Sequence, residues 1–337
     1  MRARVSIAIA LAAGLSGAPA SGASVAAATA QEPPLPSGAA GPPDARDLDA
    51  TGVDASRRAR IDDALKTGAY DRAQTLLLEE VARNPRSPEL LRMLGGVLFL
   101  TGGYLNSAIA LKKAEALAPL DDRSRFTLAM SYIVMRQRPW ARPELERLAA
   151  DDPPNPLYPY WIARLEYDDQ HYAAAVDGFR HVVALDPGYF KAYDNLGLSY
   201  EALGRDDEAI KSYHEALRLN RERGSHSPWP SLNLGILLTR LDRLDEAETV
   251  LRESAREDAR FAAAHYQLGV VLDKKGQTAA AIAEMSQATR LDPAYPEPQY
   301  ALARLYRRAG ELEKAEGALA RFLALKKNKD QGPSERR

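Results

Sequence analysis

The chain contains no cysteine, which excludes disulfides, thiolate metal sites, thiol nucleophiles and the lipid-bearing cysteine of a bacterial lipoprotein. It has no charge excess either. Its 45 basic and 46 acidic side chains give a formal net charge of −1, so no overall field gathers polyanions, and nucleic-acid binding is not expected. No apolar run reaches the roughly 20 residues of a membrane-spanning helix. The N-terminal run, Val5 to Leu15, is 11 residues long, follows Arg2 and Arg4, and leads to Ala28-Thr29-Ala30 before Gln31. That is the layout of a secretory signal peptide. Residues 1–30 are therefore expected to direct export to a periplasmic or secreted destination and to leave no membrane span once removed. An uncleaved tether in the inner membrane is the alternative.

Spacings that carry chemistry are missing too. The sequence has no HExxH, no Gly-rich phosphate loop, no GxSxG elbow, no EF-hand loop and no H-x-E with paired cysteines, so no catalytic, metal or cofactor site is expected. The five histidines, His171, His181, His214, His226 and His265, do not pair at metal-ligand spacing on a helix. Asp151-Asp152, Asp168-Asp169 and Asp206-Asp207 fall near expected helix ends, where carboxylates cap and complement the macrodipole rather than serve as an acid and base.

What the chain does have is an apolar fraction of 45% and a charged fraction of 27%, enough for a large core beneath a well-solvated surface. Residues 31–53, rich in Pro, Gly and Ala, read as a linker with little to bury. From residue 54 to 327 the same residue types recur in eight units, which begin at Asp54, Pro88, Asp122, Pro156, Phe190, Pro228, Ala262 and Pro296. Successive starts are 34 residues apart, except that the step from Phe190 to Pro228 is 38, with four residues inserted around Arg223-Gly224-Ser225-His226. Small residues mark a close helix–helix approach. They are Gly95, Ala129, Ala163, Gly197, Gly235, Gly269 and Ala303 in the first helix of each unit, and Ala73, Ser107, Ala141, Ala175, Ala209, Ala247, Ala281 and Ala315 in the second. Gly68, Gly102, Gly204, Gly276 and Gly310 fall at the hairpin turn, and Pro85, Pro119, Pro153, Pro187 and Pro293 at the boundary between units. Residues 328–337 form a charged tail.

Asn195-Leu196-Gly197 with Tyr200, Gly204, Ala209, Tyr213 and Ala216 resembles the tetratricopeptide-repeat signature. The resemblance extends over the eight units and is weakest in the first, where Arg60 and Ile61 replace the usual leucine and small residue. It implies an all-α right-handed superhelical solenoid of antiparallel helix pairs. It also implies that the first helices line a concave groove holding an extended segment of a partner protein, with no catalysis.

On that implied fold, the candidate groove residues are Arg123, Phe126, Tyr160, Arg164, Lys191, Asn195, Asn233, Arg240, Tyr266, Gln267, Lys274, Tyr300 and Arg304. They mix aromatic, basic and amide groups, types that carry binding energy at protein interfaces. Asn195, Asn233 and Gln267 share one phase of the repeat, so they form either a ladder for a peptide backbone or partners for neighbouring helices. Trp161 and Tyr167 are equally open between groove and inter-hairpin core, and Trp229 between plug and exposed anchor. The lysine and asparagine set that clamps chaperone C-termini in some family members is absent. The alternative function is self-association through the C-terminal hairpin, where no solvating helix follows Phe322 in the sequence.

Overall fold

The computed structural model describes residues 43, 48–49 and 51–330, and among these it is all helix and turn, with no strand. The expected signal segment, most of the expected linker and the end of the tail lie outside the described residues. Among the described residues sixteen helices pair into eight hairpins. The first four pairs are α1 (Ala55–Lys66) with α2 (Tyr70–Arg83), α3 (Pro88–Leu100) with α4 (Tyr104–Glu115), α5 (Asp122–Val134) with α6 (Arg138–Asp151), and α7 (Leu157–Asp168) with α8 (Tyr172–Leu185). The second four are α9 (Phe190–Ala202) with α10 (Asp206–Glu222), α11 (Trp229–Arg240) with α12 (Leu244–Glu257), α13 (Ala262–Lys274) with α14 (Thr278–Leu291), and α15 (Pro296–Arg308) with α16 (Leu312–Asp330).

Local chemistry starts and stops these helices. Asp54, Ser87 and Asp121 cap α1, α3 and α5 by accepting from the backbone N–H three residues on. Every first helix ends the same way: a residue with positive φ follows the cap, and the next backbone N–H reaches back to a carbonyl five residues earlier at 2.8–2.9 Å. The positive φ falls on glycine in five units and on Arg136, Gln170 and Asp242 in the other three. Those three side chains are held there by the unit, because the left-handed region disfavours them. After α8, α12 and α14 the stop is an aspartate in extended backbone, whose carboxylate accepts from the N–H two residues on (Gly188, Arg260 and Ala294).

Within a hairpin the small residues do what their register implies. A Cβ added to Gly197 would lie 2.4 Å from the Tyr213 ring, and one on Gly235 would lie 2.5 Å from Leu251. Tyr213 and Leu251 are fully buried, so neither has room to withdraw. Between hairpins, each helix packs on its neighbours in sequence, and the first helices also touch from unit to unit: α3 with α5, α7 with α9, α9 with α11 and α11 with α13. The first helices thus draw together along one face of the stack.

Three details differ from the sequence reading. Leu48 and Val53 are buried in the first core cluster, with Ile61, Leu65 and Leu90, so this end of the expected linker is part of the fold. Ile61, the residue that breaks the signature, is itself fully buried there. The four-residue insertion lengthens α10 to 17 residues. Asn220, 1% exposed, then organises the added loop, donating to the Ser227 carbonyl at 2.9 Å and accepting from the Ser227 N–H at 3.1 Å.

The contact at Gly197 yields a prediction. Gly197→Ala should lower unfolding stability by about 1–3 kcal/mol, the usual penalty for overpacking a rigid core. Urea denaturation followed by circular dichroism measures it, and a midpoint equal to wild type would contradict the close approach.

Candidate functional site

The inner row of first-helix side chains is the place to look for a binding surface, and the structure divides the thirteen expected residues. Phe126, Tyr160, Arg164, Asn195 and Gln267 are buried, each 8% exposed or less. This corrects the expectation that they face an open groove. The reason is their position on the helix, which points them at the neighbouring hairpin. Phe126 packs on Tyr158, and the Tyr160 ring packs against Tyr189, Phe179 and Trp161. Trp161 is buried as well, and Tyr167 lies half-buried against Tyr172. Trp229 is a plug, half-buried with its ring 4.9 Å from that of Phe261. Arg123, Lys191, Asn233 and Tyr266 are half-buried, whereas Arg240, Lys274, Tyr300 and Arg304 are exposed.

Most of the polar members of this row bridge one unit to the next. Arg164 Nη1 donates to Asn195 Oδ1 at 2.6 Å, and Asn195 Nδ2 donates to the Lys191 carbonyl at 2.7 Å and to the Tyr160 hydroxyl at 3.2 Å. Asn233 Nδ2 donates to the Asp194 carboxylate at 3.0 and 3.2 Å. Arg240 pairs with Asp206 at 2.7 Å and with Glu201 at 3.5 Å. Lys274 donates to the Thr239 carbonyl at 3.1 Å and pairs with Asp242 at 3.5 Å, and Arg308 pairs with Asp273. The amides at Asn195 and Asn233 therefore serve neighbouring helices. The sequence carries a signal for such bridges: opposite charges about one repeat apart, as at Asp206 and Arg240 or Asp273 and Arg308.

Burial shifts the titration of this row. The Asp194 carboxyl is pushed up to about 6 by desolvation, against the pull of the Asn233 hydrogen bond and the Arg164 charge. Tyr167 is pushed up to about 12, chiefly by burial. Lys191 is lowered by desolvation. No ion pair joins Lys191 among the described residues, and the Arg164 Nε, buried, has no hydrogen-bond partner. Three histidines lie beside carboxylates, His171 with Glu166, His226 with Glu257 and His265 with Glu284. Among the described residues no group of three or more His, Cys, Asp or Glu could hold a metal ion, and no helix is long and apolar enough to cross a membrane.

Eight hairpins in one register, each turned in the same way and seven of them closed over a small first-helix residue, are the features to compare with known proteins. Tetratricopeptide-repeat profiles match residues 58–122, 189–256, 232–296 and 274–331, together well over half of the chain. The chain belongs to the tetratricopeptide-repeat family. Among solved structures, the APC/C hetero-tetramer Cut9–Hcn1 is similar over 77% of this chain and 50% of that one, with a TM-score of 0.58 and 16% identity. It shares the fold of this tetratricopeptide-repeat array. MamA is similar at 20% identity over 50% of this chain and 97% of its own, with a TM-score of 0.45. YrrB, a TPR protein with an unusual peptide-binding site, is similar at 19% identity over 57% of this chain and 93% of its own, with a TM-score of 0.44. A search of curated protein sequences found no match.

Asp194 gives this subsection its prediction. A carboxyl raised on folding contributes stability that is fully present below its unfolded value, near 3.8, and is lost as pH rises through its folded value. Keeping Asp194 ionised in the joint at pH 7 costs roughly 3 kcal/mol at about 1.4 kcal/mol per unit. Asp194→Asn should thus match wild type near pH 4 and become progressively more stable than wild type toward pH 7. Urea midpoints across that range measure it, and a difference independent of pH would remove the buried ionised carboxylate.

Proposed function

We propose that this tetratricopeptide-repeat array is a non-catalytic interaction scaffold that holds an extended segment of a partner protein along its row of first helices. The observation that carries the reading is the donor capacity left on that row once the inter-unit bridges are made. Lys191, half-buried, has no ion-pair partner among the described residues. A desolvated ammonium without an opposite charge is costly, and a carboxylate of a bound segment would satisfy it. Further along, Tyr266, Tyr300 and Arg304 are half-buried or exposed and supply the aromatic and arginine contacts that dominate interface energies. The partner segment that suits these groups is extended and acidic.

Binding of a library of extended peptides, acidic and neutral, tests this. Acidic members should bind wild type, and Lys191→Ala or Tyr266→Ala should each weaken binding by about 2 kcal/mol if either is a hot spot. Equal affinity for wild type and both variants would remove the groove reading.

An exported location belongs to the same proposal and rests on the layout of residues 1–30. Mass spectrometry of the protein recovered from the envelope fraction should find a chain that has lost the apolar run Val5 to Leu15 and begins at a small-residue site at or before Gln31. An intact Met1 would favour the tethered alternative.

The second reading is self-association through the C-terminal hairpin. It is favoured by three large apolar side chains on α15 and α16 that stay exposed, Tyr300, Leu312 and Leu323.

A further inference from the structure

In its first two units the inner row of first helices already carries chain. The position held by Arg164 and Arg304 in the inner row is Asp62 in the first unit, Met130 in the third and Ile236 in the sixth, but Gly96 in the second. No other unit has glycine there, and the hairpin does not require it. A Cβ added to Gly95 would strike Leu111 of the hairpin's second helix at 2.6 Å. A Cβ added to Gly96 would instead have three atoms of the Pro43 ring as its nearest neighbours, at 2.8–4.0 Å. Glycine inside a helix costs stability; what Gly96 provides is a flat seat for a proline.

Two further contacts reach the first unit. Asp49 pairs with Arg58 of α1, which has the same repeat phase as Tyr160 and Tyr266 of the inner row. Leu48 is fully buried in the first core cluster, and the Thr51 N–H and hydroxyl both donate to its carbonyl, closing a turn that leads into α1. A proline, a leucine and an aspartate are thus set against two consecutive units.

We infer that Pro43, Leu48 and Asp49 act as an intramolecular ligand of the inner row, and that a partner segment of the same chemistry displaces them. That segment is extended and acidic, with a proline followed by a Leu-Asp pair. The inference rests on the groove reading and names the class of segment that the first two units take. Residues 41–49, Gly-Pro-Pro-Asp-Ala-Arg-Asp-Leu-Asp, carry three carboxylates against one guanidinium, which suits a row whose charged side chains include Arg58 and Lys191. A proline pair favours the extended form before binding, so less freedom is lost on docking.

The hold is of an exchangeable kind. Among the described residues, no backbone hydrogen bond joins Pro43, Leu48, Asp49 or Thr51 to a helix of the array. Pro43 is only half-buried, and the Asp49 carboxylate is largely exposed, where an ion pair contributes little. Leu48 is the one deep anchor, so a competing segment must bring a leucine as well as the proline and the aspartate.

Fluorescence anisotropy of a labelled peptide of residues 41–49, titrated with the full chain, tests this, with circular dichroism to confirm the helix content of each variant. Wild type, its row already filled, should bind the peptide weakly. Pro43→Gly with Leu48→Ala and Asp49→Ala frees the row and should bind at least tenfold more tightly. Adding Gly96→Ala or Arg58→Ala to that variant should reverse most of the gain. If the Leu48 change lowers the helix content, Pro43→Gly with Asp49→Ala serves in its place, with a gain of at least threefold expected. Equal affinity of wild type and the freed chain, no binding by either, or a gain that Gly96→Ala and Arg58→Ala both leave intact would overturn the inference. Acidic peptides that bind wild type and the freed chain alike, and are lost with Lys191→Ala, would overturn it while leaving the groove reading standing.

Discussion

Everything in this fold depends on the approach of two helices over one small residue, which recurs in every unit but the first. At Gly197 the Tyr213 ring occupies the space that a side chain would fill, and Leu111, Leu251 and Met285 do the same over Gly95, Gly235 and Gly269. That contact sets the separation of the two helices of a hairpin, so it also sets the shape of the face each hairpin offers to the next. Because the same contact recurs unit after unit, successive faces match and the stack propagates by nearest-neighbour packing. The shared turn geometry follows from the same demand. It holds Arg136, Gln170 and Asp242 at positive φ, where they would not go unaided.

The polar chemistry is laid over this apolar frame and works against it in places. Burying Asp194 raises its carboxyl, and only the Asn233 hydrogen bond and the Arg164 charge offset that cost. Burying Arg164 leaves its Nε without a partner. Both lie where the first helices crowd together, and polar groups of this row hold units to one another there, Asn195 and Asn233 through hydrogen bonds and Arg240 through ion pairs.

Much of the fold was legible in the sequence because each unit repeats the same steric requirement. Small residues, turn glycines and boundary prolines are visible as residue types, and their phase places sixteen helices. The site was less legible. Helical phase shows that Phe126, Tyr160 and Asn195 share a side of their helices, but whether that side meets solvent or the next hairpin depends on how closely the units stack. Sequence spacing does not encode that distance. The same limit hid the docking of Leu48 and Val53, two apolar residues in a stretch whose composition reads as linker. Oppositely charged residues one repeat apart were present in the sequence and are the signal by which the inter-unit bridges could have been recognised.

Native-state hydrogen exchange resolved helix by helix is the most direct test of an array held by nearest-neighbour packing. Protection should be graded, highest in the helices of the central units, which are packed on both sides, and lowest in α15 and α16, where Tyr300, Leu312 and Leu323 are exposed. A single protection value shared by all sixteen helices, lost in one global opening, would contradict it.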